Sequence, residues 1–195
     1  IMHQSNKIKI IKRNLNEHLK TIQLIGQDLI EKISKSSEIM SKSLKNGGTI
    51  FWCGNGGSAS DSMHLSAELI GRLKKNRIPL RSISLSSNPA TITCISNDFG
   101  FENLFSRQIQ ALGKKDDILV SISTSGNSKN IIKAINQAKV NKLKTISLLG
   151  NKGGKCRGKS NIDLIVNSKS TARIQEVHIT MGQIICELIE KDLKL

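Results

Sequence analysis

The first 45 residues carry apolar side chains at the spacing of an α-helix. They recur every three or four positions, without a proline, at Ile8, Ile11, Leu15, Leu19 and Ile22 and then at Leu29, Ile33, Met40 and Leu44. This period is that of one buried helix face. Gly26 interrupts the pattern, and Asn46-Gly47-Gly48 supplies a stop signal. The pattern therefore predicts a helical hairpin over residues 1–46.

After residue 48 the pattern changes to short apolar runs that end in small polar residues. The runs are TIFWCG (49–54), LRSISLS (80–86), DILVSIS (117–123), KTISLLG (144–150) and IDLIVN (162–167). Helical patterns lie between or after them at 58–73, 89–97, 102–112, 128–140 and 171–191. Strands that alternate with helices are typical of a parallel sheet covered on both faces. We expect a three-layer α/β sandwich in one domain over residues 1–195.

Charge narrows the choice of partners. The chain of 195 residues has 30 basic and 15 acidic residues, a formal net charge of +15. The basic residues are spread from Lys7 to Lys194, and aromatic residues make up only 3%, too few to form base-stacking platforms. The composition therefore argues against nucleic acid as a partner. The excess of positive charge favours an anionic small substrate.

Cysteine spacing and hydropathy indicate the compartment. The four cysteines, at positions 53, 94, 156 and 186, form no C-x-x-C pair and no short framework. They argue against a secreted disulfide scaffold and a structural zinc module, and favour a reducing cytoplasm. No apolar run approaches the roughly 20 residues that span a bilayer, so we expect a soluble protein without a membrane partner.

Two polar, glycine-containing loops follow predicted strands. They are GNGGS (54–58) and STSGNS (123–128). Ligands of open parallel sheets bind outside the carboxyl ends of the strands, where helix N-termini attract anions. The hydroxyls of the second loop are suited to holding a phosphate: Ser123, Thr124, Ser125 and Ser128. Serine and glycine are also ordinary in loops and helix caps, so the loop taken alone leaves both interpretations open.

His64 and Glu68 project from one face of the helix that follows the first loop, because four residues make about one turn. Such a pair is often a surface ion pair worth about 0.3 kcal/mol. It is also the arrangement of a metal-ligand pair or of a proton-transfer group. Asn97 and Asp98, in SNDFGF, are interpreted as an Asx turn before Gly100 or as a hydroxyl-binding pair, and the residues alone favour the turn.

Four segments together resemble one known family. FWCGNGGSASDSMHLSAELIGR, SNDFGFENLFSRQIQALG, DILVSISTSGNSKNIIKAI and ARIQEVH are similar, in this order, to motifs of the phosphoheptose isomerases in the sugar isomerase (SIS) superfamily. The resemblance implies a flavodoxin-like fold and a homotetramer with active sites between subunits. It also implies interconversion of sedoheptulose 7-phosphate and D-glycero-D-manno-heptose 7-phosphate through an enediol(ate), in the synthesis of lipopolysaccharide or surface-glycan precursors.

The resemblance also implies roles for individual residues. Substrate contacts fall on Asn55, Gly56, Gly57, Asn97 and Asp98, with the phosphate held by Ser123, Thr124, Ser125 and Ser128. The family's zinc-ligand positions fall on His64, Glu68 and Gln175, of which Glu68 and Gln175 also face the substrate. Glu68 corresponds to the carboxylate that transfers the proton.

Position 183 departs from the family pattern. The family has a histidine there, five residues after the histidine of IQE-x-H, which serves as the remaining zinc ligand and second catalytic base. This chain has Gln183. An amide is a weak metal ligand with no usable proton affinity, so we expect weaker zinc binding and a slower reaction if this residue occupies the site.

A second function from another class stays open from the sequence. The family includes relatives that have lost isomerase residues and bind the bacterial replication initiator protein, and Gln183 together with the basic surface is compatible with such an adaptor. The resemblance suggests that those relatives lack the acidic residue equivalent to Glu68 and depart from GNGGS. This chain keeps both, which favours the enzyme.

Overall fold

The computed structural model describes residues 2–195, with side chains from residue 5 onward. Two helices form the N-terminal hairpin, α1 (Met2–Ile22) and α2 (Gln27–Lys45). Gly26 is the N-cap of α2 and has an extended backbone. The predicted pair of helices and its break at Gly26 are thus confirmed, except at residue 1, which lies outside the described residues.

Five parallel strands form one sheet. They are β1 (Ile50–Gly54), β2 (Ser82–Ser84), β3 (Ile118–Ser123), β4 (Lys144–Gly150) and β5 (Ile162–Val166), in the order β2-β1-β3-β4-β5. Each predicted run contains one strand. The order is that of flavodoxin-like sheets, in which ligands bind beside the carboxyl ends of the first and third strands, where the strand order reverses.

Five further helices cover the sheet. They are α3 (Gly57–Ile70), α4 (Pro89–Phe99), α5 (Leu104–Leu112), α6 (Lys129–Val140) and α7 (Thr171–Asp192), with short 3-10 helices at Phe101–Asn103 and Asn151–Cys156. No helix of residues 2–195 is long and apolar enough to cross a membrane.

Two of the boundaries that differ from the sequence prediction do so because local backbone groups are bound elsewhere. The predicted strand 80–86 shortens to Ser82–Ser84, since the Leu80 N–H donates to the Leu69 carbonyl at the end of α3. Helix α3 ends at Ile70 instead of residue 73, because the N–H groups of Leu73 and Lys74 donate to the Glu190 carboxylate.

The strands alternate their side chains between two apolar cores. Ile50 and Trp52 of β1 face a core with α2, α3 and α7, whereas Phe51 and Cys53 face one with α4, α5 and α6. Successive strand residues point to opposite faces, and helices cover both faces, so the central strands β1, β3 and β4 are buried almost throughout. This is the three-layer α/β sandwich that the sequence predicts.

One histidine of α7 lies in the interior of the protein. His178 of α7 is fully buried, and neither ring nitrogen has a hydrogen-bond partner among the described residues. Burial lowers the pKa of His178 to about 4. The backbone of Leu149 acts in the opposite direction and raises this pKa, although it approaches the ring outside good hydrogen-bond geometry. The imidazole is therefore neutral at physiological pH.

We expect His178 to make the protein sensitive to acid. Its pKa is lower in the folded chain than the ordinary value of 6.5, so the unfolded state binds the extra proton and stability falls as the pH drops from 6.5 towards 4. The loss approaches about 3 kcal/mol at the end of this window. Denaturant titrations of His178→Leu should show a flatter pH dependence than those of the parent protein. Met181→Leu, an apolar change in the same core, should retain the parent slope, and equal slopes in all three proteins would contradict the assignment.

Candidate active site

The carboxyl ends of β1 and β3 place the two polar loops side by side. These strands are neighbours, with Gly54 of β1 paired with Ile122 of β3. The loop Asn55–Gly57 leads from β1 into α3, and the loop Ser123–Ser128 leads from β3 into α6. We call them the sugar loop and the phosphate loop after the ligands that the sequence resemblance implies for them. Both loops therefore lie at the sheet edge where parallel α/β folds bind ligands.

The sugar loop turns sharply into α3. Gly56 is the N-cap of this helix with a φ of 55°, a conformation that side chains disfavour. Gly57 is the first helical residue, and a Cβ there would collide with the side-chain amide of Gln175 on α7. The glycine pair thus allows the loop to turn and α7 to approach closely.

Asn55 is held by a residue of the next helix. The Asn55 Nδ2 donates to Asn130 Oδ1 at 2.9 Å, and the Asn130 Nδ2 donates to Asn55 Oδ1 at 2.8 Å. Asn130 belongs to the first turn of α6 and is 2% exposed. The two loops are therefore joined by a reciprocal amide pair.

The phosphate loop combines hydroxyls with a helix N-terminus. Ser123 ends β3, and Ser128 is the N-cap of α6, with their Oγ atoms 3.4 Å apart. The Gly126 N–H donates to Ser123 Oγ at 3.1 Å, which fixes that hydroxyl, whereas Ser128 makes no side-chain cap bond. Thr124 is half-buried and Ser125 is exposed. The arrangement offers hydroxyls and helix N–H groups to an anion.

His64 and Glu68 meet on α3. The His64 Nε2 lies 2.9 Å from Glu68 Oε1, and the side chains are 50% and 17% exposed. The carboxylate is therefore partly shielded from water and oriented by the imidazole, while one edge of the imidazole remains open. This geometry is available both for proton transfer and for metal binding.

A buried ion pair fixes the backbone behind Glu68. The Arg77 Nη2 donates to the Glu68 carbonyl at 2.7 Å, and the Arg77 Nε donates to Glu190 Oε1 at 3.0 Å. The two side chains are 2% and 4% exposed. Burial alone would raise the pKa of Glu190, but the N–H groups of Leu73 and Lys74 and the Arg77 guanidinium together hold that pKa below its ordinary value. Glu190 thus stays ionised and anchors Arg77.

Gln175 contacts the beginning of α3. Its Nε2 lies 3.5 Å from Asp61 Oδ1, a long hydrogen bond. Asp61 is 7% exposed, and its other oxygen has no partner among the described residues. Burial raises the pKa of Asp61. The contacts with Gln175 and His64 lower it, but their effect is smaller than that of burial. Gln175 therefore lies beside the sugar loop, as the resemblance implies.

Gln183 lies further along α7, at the level of the His64–Glu68 turn. Its neighbour Gly182 approaches Leu65 so closely that a Cβ at position 182 would collide with the leucine side chain. Burial raises the pKa of Cys186, three residues beyond Gln183, and the nearby Glu68 carboxylate raises it further. Helix α7 thus runs alongside α3, with contacts at Gln175 and at Gly182, next to Gln183.

Asn97 and Asp98 do not form the turn that the residues alone favour. They lie in the last turn of α4, which continues to Phe99 before Gly100. The Asn97 Nδ2 donates to Asp98 Oδ1 at 2.8 Å, and both side chains are exposed. The helix is longer because Gly100, with a φ of 84°, ends it in a conformation open to glycine.

The donor set fits a weak zinc site. His64 and Glu68 are ordinary zinc ligands and already lie within 2.9 Å of each other, whereas Gln175 and Gln183 offer only amide oxygens. Among residues 5–195, whose side chains are described, no three His, Cys, Asp or Glu side chains are grouped to hold a metal ion.

The sequence alone does not identify three residues that shape the site. Asp61 precedes His64 by three positions on the same helix face, which is the one sequence signal that could have revealed it. Asn130 is the second residue after the phosphate loop, a polar residue among the buried apolar residues of α6. Nothing in the local sequence around Arg77 points to Glu190, which lies 113 positions away.

Comparison with known proteins agrees with this geometry. The family model described as SIS domain matches residues 14–150. The phosphoheptose isomerase of Helicobacter pylori (strain P12) is 46% identical over 182 residues, 93% of this chain and 95% of the relative. That of a Nitratiruptor species is 45% identical over 181 residues, 93% and 97% of the two chains.

Two solved structures are similar throughout. The phosphoheptose isomerase GmhA from Neisseria gonorrhoeae superposes with a TM-score of 0.88 at 36% identity, covering 94% of this chain and 98% of that one. A phosphoheptose isomerase from Francisella tularensis gives 0.91 at 34% identity, covering 95% and 98%. The chain therefore belongs to the SIS domain family and, within it, to the phosphoheptose isomerases, which are sugar-phosphate isomerase enzymes.

Proposed function

We propose that this enzyme interconverts sedoheptulose 7-phosphate and D-glycero-D-manno-heptose 7-phosphate. The observation that carries the proposal is the position of Glu68, a carboxylate only 17% exposed and in contact with His64, on the helix that begins at the sugar loop. The phosphate loop lies on the adjacent strand end and is joined to the sugar loop through Asn130. Relatives that share 46% of residues have the name of this activity.

The two ends of the substrate have different requirements. The phosphate needs an anion site, for which Ser123, Thr124, Ser125 and Ser128 supply hydroxyls at the N-terminus of α6. The reacting end needs contacts for hydroxyls and a carbonyl, which Asn55, Gly56, Gly57 and Gln175 provide in this proposal. Asn97 and Asp98 are exposed at the end of α4, where they are available to a substrate bound by this chain or by a second copy.

Glu68 transfers the proton in the proposed reaction. Its carboxylate takes a proton from the carbon next to the substrate carbonyl, and the electron pair forms an enediol(ate). The same proton is returned to the former carbonyl carbon, while the hydroxyl proton moves to the other oxygen of the pair. His64 orients the carboxylate at 2.9 Å. Gln183 cannot exchange a proton near neutral pH, so Glu68 serves both transfers.

A zinc ion is part of the proposal, held by His64, Glu68 and Gln175 with Gln183 as a weak fourth donor. When bound, zinc polarises the substrate oxygens and so stabilises the negative charge that develops on them. The amide at position 183 makes this site weaker than one with imidazole.

The proposed assembly is a homotetramer with active sites at subunit interfaces. Its support is an unpartnered apolar row on α1, formed by Ile8, Ile11, Leu15 and Leu19, whose side chains are 48–60% exposed. Rows at this spacing pack against the same row of another copy. The Arg13–Glu17 ion pair lies on a different face of α1 from this row.

The cellular context is also a proposal. The four cysteines are free thiols, as is usual in the reducing cytoplasm. There the product would feed lipopolysaccharide or other surface-glycan precursors. The adaptor function is not favoured, because the similar relatives named above are isomerases.

Glu68→Gln should remove the isomerase activity. An amide cannot accept the carbon-bound proton, and acid–base groups contribute roughly 10²- to 10⁴-fold in rate. The assay incubates the protein with sedoheptulose 7-phosphate, with and without zinc, and measures the aldose formed. Glu38→Gln, the same change at an exposed position of α2, should keep the parent rate. Near-parental turnover by Glu68→Gln would disprove its role as the base.

Gln183→His should raise both zinc affinity and turnover. It restores an imidazole beside the His64–Glu68 turn, which is a better zinc ligand and a second base. Chelator competition measures the affinity independently of activity, and the gain in rate should approach the same roughly 10²- to 10⁴-fold range. Gln110→His adds an exposed imidazole on α5 and should change neither quantity. If Gln183→His also changes neither, position 183 faces away from the site.

Leu15→Glu combined with Leu19→Glu should dissociate the assembly. Two buried carboxylates at an apolar interface lack partners, and their desolvation opposes association. Light scattering at micromolar concentration should give a tetramer for the parent and a smaller species for the variant. Lys20→Glu, an exposed charge change on the same helix, should leave the mass unchanged. A monomeric parent would refute the tetramer.

A further inference from the structure

Asn130 makes more hydrogen bonds within the site than its position in the first turn of α6 requires. It is 2% exposed, and its amide exchanges two hydrogen bonds with Asn55, of 2.8 and 2.9 Å. Its Oδ1 also accepts the Ile131 backbone N–H at 2.9 Å. Neither the family resemblance nor the sequence pattern assigns this residue a role. A buried asparagine with these contacts on the first turn of α6 requires an explanation.

The backbone contact determines the orientation of both amides. The Ile131 N–H can only donate to an oxygen, so the Asn130 oxygen must face it and the Asn130 Nδ2 must face Asn55. Asn55 is then forced to turn its own oxygen towards that Nδ2 and its own Nδ2 towards Asn130 Oδ1. One N–H and one lone pair of the Asn55 amide remain available, in directions set by α6 and not by the sugar loop itself.

We propose that Asn130 is a positioning residue for the isomerase reaction. It fixes Asn55 and thereby holds the sugar loop in register with the phosphate loop. This inference rests on the proposed function, in which one loop receives the phosphate and the other the reacting end of the sugar. Asn130 belongs to α6, the helix whose N-terminus receives the phosphate in the proposed function. When the phosphate orders that N-terminus, Asn130 also orders the sugar loop through Asn55.

The arrangement lets the remote phosphate contribute to the chemical step. Binding energy at a non-reacting group can hold the reacting atoms in position, and small displacements of such groups reduce rates by about 10²-fold. Without the amide pair, the phosphate would still bind to α6, but the sugar loop would be ordered separately. The loss should therefore appear mainly in kcat, with a smaller change in KM.

The test compares three variants with a matched control. Asn130→Ala should lower kcat/KM by about 10- to 100-fold. The same change in an Asn55→Ala background should have little further effect, since Asn130 acts through Asn55. The control is Asn141→Ala at the other end of α6, where the Asn141 Nδ2 donates to the carbonyls of Ile109 and Gly113. It should lower the melting temperature to a similar extent without changing kcat.

Asn130→Asp keeps the protein testable if the alanine variant does not fold. The aspartate still accepts from Ile131 and Asn55 but cannot donate to Asn55 Oδ1, so kcat should again fall. Independent, additive losses from Asn55→Ala and Asn130→Ala, or an unchanged kcat in both Asn130 variants, would overturn the proposal.

A binding measurement separates this inference from the proposed function. Calorimetry with inorganic phosphate and with sedoheptulose 7-phosphate should show that Asn130→Ala weakens sugar-phosphate binding by more than phosphate binding. If the parent protein has no isomerase activity, the proposed function fails, and this comparison still decides the inference. Equal weakening for both ligands would mean that Asn130 merely supports the phosphate loop.

Discussion

The close contact between α3 and α7 is the constraint on which the site depends. All four residues proposed to hold zinc are on these two helices. The helices touch at points where one of the two has a glycine. Gly57 of α3 admits the Gln175 amide, and Gly182 of α7 admits Leu65. A methyl group at Gly182 would collide with the Leu65 side chain, because packed interiors lack space for even one additional carbon. A methyl group at Gly57 would displace the Gln175 amide from its place beside the sugar loop. The two missing side chains thus permit the close approach of the helices.

The sheet supplies the second half of the arrangement. Parallel pairing of β1 and β3 aligns the loops that follow them, but strand pairing alone leaves the loop side chains free. The Asn55–Asn130 pair and the Ser123–Gly126 bond remove that freedom with hydrogen bonds close to 3 Å. Behind Glu68, Arg77 and Glu190 fix the end of α3 in the same way. The groups that would meet the substrate are therefore held by polar contacts from behind, while the apolar cores position only the helices.

Most of the fold could be predicted because its signals are local. The continuous apolar run of β1, which is buried throughout, and the helical spacing in α1 and α2 depend on residues a few positions apart. The departures are at places where a distant group captures the backbone, as when Glu190 binds the N–H groups of Leu73 and Lys74 and ends α3 early. Contacts between residues distant in the sequence likewise limit what could be predicted of the site. The loops and the His64–Glu68 pair are visible as motifs, whereas Asn130 and Arg77 act through partners 75 and 113 positions away.

The supporting contacts bear on whether the protein remains a catalyst. Buried ion pairs such as Arg77–Glu190 lose the hydration of both charges and seldom stabilise a fold more than apolar residues of the same size would. Buried amide pairs have a similar disadvantage unless every polar group is satisfied. A protein that had only to present its surface to a partner would gain little from retaining them. They are useful where Glu68 and Asn55 must be held in one position relative to a small substrate. Gln183 therefore lies within a supporting framework that has the properties needed for catalysis.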